Sequence, residues 1–244
     1  MKRKDIIYGI RPVIEAIESG KTIDKVFIQR GSGGDLMREL TLLIRKKNVP
    51  SQLVPIEKLH RMVTGNHQGA IAFISAIDYA NIFDVIPTIY ERGEDPFIIV
   101  LDRITDVRNL GAICRSAECA GAHAVVLPTQ NSAQINEDAI KTSAGAIHNI
   151  PICRHNNLKE VFDFLKNSGI SIIGVTEKAK DLYFESDYNK PLCLVVGNEG
   201  EGISPEYFRY FNQEVKIPMA GTIESLNVSV ASGIILFEVL RQRM

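Results

Sequence analysis

The amino-acid sequence predicts an α/β protein: a small α/β domain at the N-terminus, then a larger domain built on a mostly parallel sheet. Three observations carry that expectation. Short β-type runs alternate along the chain with segments whose apolar residues recur at helical spacing, the pattern of strands covered by helices. Residues 97–101 (Phe-Ile-Ile-Val-Leu) and 192–196 (Leu-Cys-Leu-Val-Val) are uninterrupted apolar strings, as expected of strands buried on both faces. The apolar runs also lengthen beyond Pro96, after an acidic stretch at 78–96 that contains Pro87 and Gly93. At about 100–200 residues per domain, the 244 residues divide into a first domain at 1–77, a linker at 78–96 and a second domain at 97–244.

Each element has a local reason. Pro12 opens a helix whose Val13, Ile14 and Ile17 share one face and which Gly20 ends. A strand at 26–28 follows, then a helix in which Leu36, Leu40, Leu43 and Ile44 form an apolar stripe. A strand at 52–54, a short helix over 56–62 and a strand at 70–74 complete the first domain. Residues 78–96 show weak periodicity and are read as linker, with a helical turn over 85–90. Beyond them the order is strand 97–101, helix 109–120, strand 124–127, helix 137–144, strand 150–153, helix 158–166 and strand 171–175. Strand 192–196, helix 205–211, strand 214–217 and a last helix over 227–241 end the chain.

Composition narrows the classes of function. With 45% hydrophobic residues and a net charge of −1, the chain has the apolar content of a folded protein and not of a disordered one. No apolar run reaches the ~18–20 residues of a membrane span. The basic first residues run into a mixed helical pattern where a secretory leader needs an apolar stretch, so a cytoplasmic protein is expected. Cys114, Cys119, Cys153 and Cys193 show no C-x-x-C spacing and are read as buried thiols. With scattered histidines they make no metal pattern, and no metal is expected. The near-neutral total conceals an asymmetry: residues 1–77 carry +6, residues 78–96 carry −4 and the rest carry −3. A basic first domain on an otherwise acidic chain suits contact with a polyanion, although a solvated lysine face reads the same way.

In a parallel α/β sheet, ligands bind beyond the carboxyl ends of the strands, which directs attention to the loops after Leu101, Val175, Val196 and Ile217. In the first, Asn109 stands where a helix N-cap is expected, Gly111 permits close backbone approach, and Arg115 lies further along the helix. Simple capping and a surface ion pair are the alternatives for Asn109 and Arg115. Residues 197–202 (Gly-Asn-Glu-Gly-Glu-Gly) look like a phosphate-cradling loop, but such loops carry lysine and no acids. Glu199 and Glu201 instead suit a cationic ligand or the orientation of an arginine. In the third loop, residues 217–229, small polar residues precede a long helix that Ser225 or Asn227 caps. There is no dinucleotide fingerprint of the G-x-G-x-x-G kind, which argues against a nicotinamide-dependent oxidoreductase, and no hydrolase or zinc-protease spacing.

Taken in order, the three loops resemble the SpoU branch of the SPOUT methyltransferases. The family's Asn, Gly and Arg match Asn109, Gly111 and Arg115. Its G-x-E-G-x-G matches residues 197–202 with Glu199, and its I-P-M-x-G-x-x-x-S-L-N-V-S matches residues 217–229. Arg108 stands where many members have proline. Residues 8–13 and His67, Gln68 and Gly69 resemble the family's N-terminal substrate-binding domain, which is similar to a group of RNA-binding ribosomal proteins. The resemblance implies 2′-O-methylation of a ribose with S-adenosylmethionine (AdoMet), most closely at a guanosine of 23S rRNA. A transfer-RNA substrate and a catalytically inactive RNA-binding protein are the alternatives. It further implies a deep trefoil knot in the C-terminal domain, a homodimer and no metal. It places Arg115 at the centre of the reaction, as base for the 2′-OH or as a clamp on phosphate and developing alkoxide. Glu199 would position Arg115 or Asn109, and Ser225 and Asn227 would hold the ribose or the arginine. Thr176, Gly197, Gly202, Ile217, Met219 and Leu226 would cradle the cofactor.

Overall fold

The computed structural model describes residues 6–223 and 225–244, and the chain separates into two compact units, 1–78 and 79–244. In the first unit, strands β1 (Ile6–Tyr8), β2 (Ile23–Gln29), β3 (Ser51–Val54) and β4 (Ala70–Ile74) form a sheet in the order β1-β4-β2-β3. β4 runs antiparallel to both neighbours and β3 parallel to β2. The alternation of side chains along β2 and β4 separates two small cores. Val26, Ile28, Ala70 and Ala72 face helices α1 (Ile10–Glu18) and α2 (Asp35–Lys46), while Phe27 and Ile71 face α3 (Ile56–Met62) through Leu59. The sequence reading lacks β1, three residues long and cut off by Gly9. It also starts α1 late: Gly9, at φ 97°, is its N-cap, and Pro12 falls at the third position of the first turn, where a missing N–H still costs nothing.

The second unit carries a seven-stranded sheet, every paired strand parallel. Its strands are β5 (Phe97–Leu101), β6 (Ala124–Pro128), β7 (Ile152–His155), β8 (Ser171–Val175), β9 (Asp181–Leu182), β10 (Leu192–Val196) and β11 (Gln213–Lys216), in the order β7-β6-β5-β10-β8-β11-β9. β5 and β10 are buried at every position, as their uninterrupted apolar sequence requires. The connecting helices are α5 (Val107–Cys119), α6 (Glu137–Thr142), α7 (Leu158–Asn167) and α8 (Val228–Arg243). Residues 205–210 form a 3-10 helix and not the regular helix expected there. No helix among the described residues is long and apolar enough to cross a membrane.

The linker reading needs correction. Residues 82–91 form a helix, α4 (Ile82–Glu91), that belongs to the second unit. Ile82, Ile86 and Ile89 lie on one face and are buried in the same core as Ile98, Val100 and Val126. Asn81 caps the helix by accepting the Phe83 N–H. Pro87 inside it costs about 3 kcal/mol, which three isoleucines at roughly 1.5–3 kcal/mol each outweigh. The thiol reading also needs one correction: Cys114, Cys153 and Cys193 are buried, but Cys119 is exposed at the end of α5. Burial pushes the Cys114 and Cys153 thiols up to about 12, so neither is a nucleophile at neutral pH.

One histidine makes the stability of this unit pH-dependent. His123 accepts the Phe97 N–H on Nδ1 (3.0 Å) and meets Glu94 through Nε2 (3.0 Å). Burial holds its pKa below the ordinary imidazole value of 6.5, against the opposing pull of Glu94 and with Arg243 and Arg92 adding to the lowering. A depressed folded-state pKa means that the contribution is complete above 6.5 and is lost as pH falls through the lowered value. The urea midpoint of the wild type is therefore expected to fall further between about pH 7 and about pH 5 than that of His123→Ala. Equal falls in the two proteins would remove His123 from the account.

Candidate functional site

The sheet reverses its strand order between β5 and β10. From β5 the chain proceeds outward through β6 and β7, while β10 is flanked on its other side by β8. Leu101 and Val196 are in register at the carboxyl ends of this central pair. The loops that leave them are tied to each other by hydrogen bonds, and a cleft opens on the far side of the β10 loop, against the loops that follow β8 and β11, still beyond the carboxyl ends of the strands where open α/β sheets bind ligands.

The loop at 197–204 is a tight reversal fastened from below. Asn198 and Gly202 exchange backbone hydrogen bonds of 3.1 and 2.8 Å. The return strand passes so close to Gly197 that a Cβ there would lie 2.2 Å from the Gly202 carbonyl carbon and 2.3 Å from the Ile203 nitrogen. Gly202 turns the chain at φ +69°, a conformation glycine adopts at no steric cost. Beneath the loop, buried Asp102 accepts the Ser204 N–H and hydroxyl, both at 2.7 Å. Arg103 bridges Asp102 and Glu201 and donates to the Gly202 carbonyl (3.1 Å), while Asn198 Nδ2 donates to the Arg103 carbonyl (3.1 Å). Gly197→Ala is expected to destabilise the protein by about 1–3 kcal/mol, read as a fall in melting temperature. An unchanged melting temperature would mean that the loop can open at no cost.

The two acids of this loop have different partners. Glu201 is taken by Arg103. Glu199 turns to the other side, where its Oε1 accepts from Asn227 Nδ2 (2.6 Å), Asn109 Nδ2 (2.8 Å) and the Val228 N–H (3.4 Å). Asn227 Nδ2 also donates to Asn109 Oδ1 (3.2 Å). One carboxylate oxygen thus fixes both amides in a single orientation, because it accepts only from their nitrogens. Asn227 caps α8 as well, its Oδ1 accepting the Ser229 N–H at 2.9 Å; Ser225 does not cap. Asn109 is not the cap of α5. Asp106 is, accepting the N–H groups of Arg108 and Asn109 (2.8 and 2.9 Å). Asn109 therefore sits one turn inside the helix with its side chain free for Glu199. Gly111 has the close approach expected of it, since a Cβ there would stand 2.6 Å from the Ala139 carbonyl oxygen of α6.

Beside this cluster lies a cleft of about 640 Å³ including its mouth, lined by Thr176, Gly197, Glu199, Gly202, Ile217, Met219, Ser225 and Leu226 among others. Thr176 is buried, and its N–H is bound to the Val215 carbonyl at 2.9 Å, which joins the end of β8 to β11. Neither lysine nor arginine is among the described lining residues, and Glu177 adds a second acid beside Glu199. The other walls mix apolar side chains and backbone with the uncharged polar groups of Thr176, Asn198 and Ser225, so they fit a neutral ring or a cation better than a polyphosphate. Arg115 is not part of the cleft. It lies further along α5, exposed, with no hydrogen-bond or ion-pair partner among the described residues. Of the two expectations for Glu199, the structure has it on Asn109 and not on Arg115. No metal-holding group of three or more His, Cys, Asp or Glu occurs among the described residues.

Sequence reasoning missed Asp102, Arg103, Asp106, Asn198 and Ser204. The available signal was Asp102 itself, an acid directly after five apolar strand residues. Its burial requires polar partners; one is the adjacent Arg103 and the other, Ser204, lies 102 residues away.

A parallel sheet with a cation-tolerant cleft beyond the carboxyl ends of its strands and a carboxylate–amide cluster at the rim suits a small, non-phosphorylated or cationic ligand. Comparison with known proteins is more specific. Residues 96–237 match the SpoU rRNA Methylase family, and residues 6–80 match the domain described as RNA 2′-O ribose methyltransferase substrate binding. The chain belongs to the SpoU rRNA methylase family. It is 37% identical over 241 residues to the 23S rRNA (guanosine-2′-O-)-methyltransferase RlmB of Yersinia pestis, covering 98% of both chains. Its identity to RlmB of Escherichia coli K12 is 36%, over 98% of this chain and 99% of that protein. Among solved structures it is similar to the SpoU methyltransferase AviRb of Streptomyces viridochromogenes in complex with AdoMet. There the TM-score is 0.63 and the identity 27%, covering 98% of this chain and 90% of that one.

Proposed function

We propose that this protein transfers a methyl group from AdoMet to the 2′-hydroxyl of a ribose in structured RNA, with a guanosine of 23S rRNA as its substrate. The observation that carries the reading is the Glu199 carboxylate, fixed by Asn109, Asn227 and the Val228 N–H at the rim of a cleft that no lysine or arginine lines among the described residues. Bound there, AdoMet would supply an electrophilic methyl carbon on a sulfonium. Thr176, Gly197, Gly202, Ile217, Met219 and Leu226 would hold its adenosine and its chain by shape and backbone groups, and Glu177 and Glu199 suit its positive charge. Ser225, at the cleft with no side-chain partner among the described residues, would bind the target ribose. A guanidinium does not give up its proton at neutral pH. Arg115 therefore acts as a clamp on the RNA phosphate and a stabiliser of charge developing on the 2′-oxygen, and not as the base.

Arg115 is exposed on α5, which packs against α8. α8 itself exposes Val230 (50%) and Phe237 (48%), seven residues and so about two turns apart, and exposed apolar side chains on one stripe of a helix suit an interface. A homodimer through this face would bring each Arg115 to the other copy's cleft. The same reading threads the C-terminal segment through a loop as a deep trefoil knot. The first unit, with its surplus of +6 over residues 1–77, would grip the RNA.

Two measurements test the proposal. Calorimetry should give AdoMet binding and no heat with NAD or ATP. Ribose-methylation mapping of RNA from cells lacking the protein should show one unmodified 23S guanosine, restored by the wild-type gene. Tight NAD binding without AdoMet heat would overturn the cofactor, and a missing methyl on transfer RNA alone would overturn the substrate.

A further inference from the structure

One face of the first unit's sheet is only partly covered. α3 lies over Phe27, Val54 and Ile71 through Leu59. Towards the β1 edge it leaves a hollow of about 1450 Å³ including its mouth, lined by Ile6, Tyr8, Arg61, Met62, Gly65 and Phe73. Two aromatic rings, Tyr8 and Phe73, stand in its walls, and each is held in place. The Tyr8 ring, 43% exposed, lies flush on Gly65, where a Cβ would come within 2.6 Å of its Cε2; this explains the glycine, since any side chain would push the ring out. Phe73 meets Phe27 edge to face with centroids 5.6 Å apart. The rim is cationic: Arg61 is exposed with no ion-pair partner among the described residues. Lys58, one turn earlier on α3, holds its Nζ 5.2 Å above the Phe27 ring.

We propose that this hollow receives one unstacked nucleobase of the RNA substrate, stacked on Tyr8, with the flanking phosphates at Arg61 and Lys58. The inference rests on the reading of the chain as an RNA-modifying enzyme and adds the place where its first unit holds single-stranded RNA. Unpaired nucleotides are recognised by stacking on aromatic side chains beside cations. An apolar peptide would fill the hollow but leave Arg61 at its rim without counter-charge, whereas a nucleotide satisfies both features.

The test uses the full chain and fluorescein-labelled hexauridylate, an unstacked single strand, followed by anisotropy over a range of salt concentrations. Tyr8→Ala is expected to weaken binding by about 5- to 100-fold, and Tyr8→Phe to stay within about twofold because it keeps the ring. Arg61→Ala, an exposed substitution outside the core, should weaken binding and lower the salt slope by about 0.7. AdoMet affinity and melting temperature should not change in Arg61→Ala, which keeps the test valid if Tyr8→Ala fails to fold. Wild-type affinity in Arg61→Ala together with either Tyr8→Ala or Gly65→Ala overturns the proposal, as does wild-type binding that is absent or insensitive to salt, the outcome expected of a peptide groove. Methyl incorporation by the wild type is measured in parallel. Its absence would sink the enzymatic reading, while the oligonucleotide titration would still decide the hollow.

Discussion

Arg115→Ala is expected to lower methyl incorporation into RNA by about 10²–10³-fold while AdoMet affinity stays near wild type. The two effects separate because Arg115 lies outside the cleft that would hold the cofactor. A positive side chain would also gain nothing beside a sulfonium. Arg115→Lys should recover little, since a point charge cannot reproduce a bidentate fork on phosphate. An exposed arginine without a partner among the described residues has a use if a second copy completes the site. Mixing Arg115→Ala with Asn227→Ala protein tests this directly: each heterodimer would hold one site free of both lesions, so activity should return to about a quarter of wild type in a two-fold symmetric dimer. Labelled AdoMet and a 23S rRNA fragment give the readout. Near-wild-type turnover by Arg115→Ala would take Arg115 out of the mechanism. Failure to complement, with heterodimers shown to form, would confine the site to one chain.

The second large effect concerns where the chain can be cut. A protein beginning at Tyr79 is expected to fold and to bind AdoMet, with RNA affinity strongly reduced because the basic first unit is gone. A protein beginning at Pro96 is expected to be unfolded or aggregated. It lacks Ile82, Ile86 and Ile89, which are buried in the core with Ile98 and Val100. At about 2–5 kcal/mol for each large aliphatic side chain removed, the loss reaches the 5–15 kcal/mol or so that holds a whole domain together. Circular dichroism and urea titration of the two truncations decide it. Equal stability would return residues 79–95 to the status of a linker. Unweakened RNA binding by the Tyr79 protein would locate the grip in the second unit.

The error over that segment shows what local patterns conceal. Ile82, Ile86 and Ile89 have helical spacing, but Pro87, Gly93 and a run of acids read locally as punctuation, and only the core they enter outweighs them. β1 and β9 were invisible for a different reason. Strands of three and two residues carry no periodicity, and they exist because β4 and β11 present edges to pair with. Asn109 was misplaced as a cap because Asp106, three residues earlier, is equally suited and captures the two free N–H groups first.

By itself the sequence determined the class of fold and pointed to the three loops of the second unit, because each depends on short-range features: apolar strings, glycine beside acid, small residues before a helix. The sign of the charges in the loop at 197–202 is likewise local information. The tertiary structure alone decided which acid does what. Glu199 and Glu201 are two residues apart in the same motif, yet one orients Asn109 and Asn227 while the other is neutralised by Arg103. Their partners lie 90, 28 and 98 residues away. They become neighbours because β5 and β10 pair in register and α8 packs against α5, and a hydrogen bond requires an approach of about 3 Å that no spacing along the chain encodes.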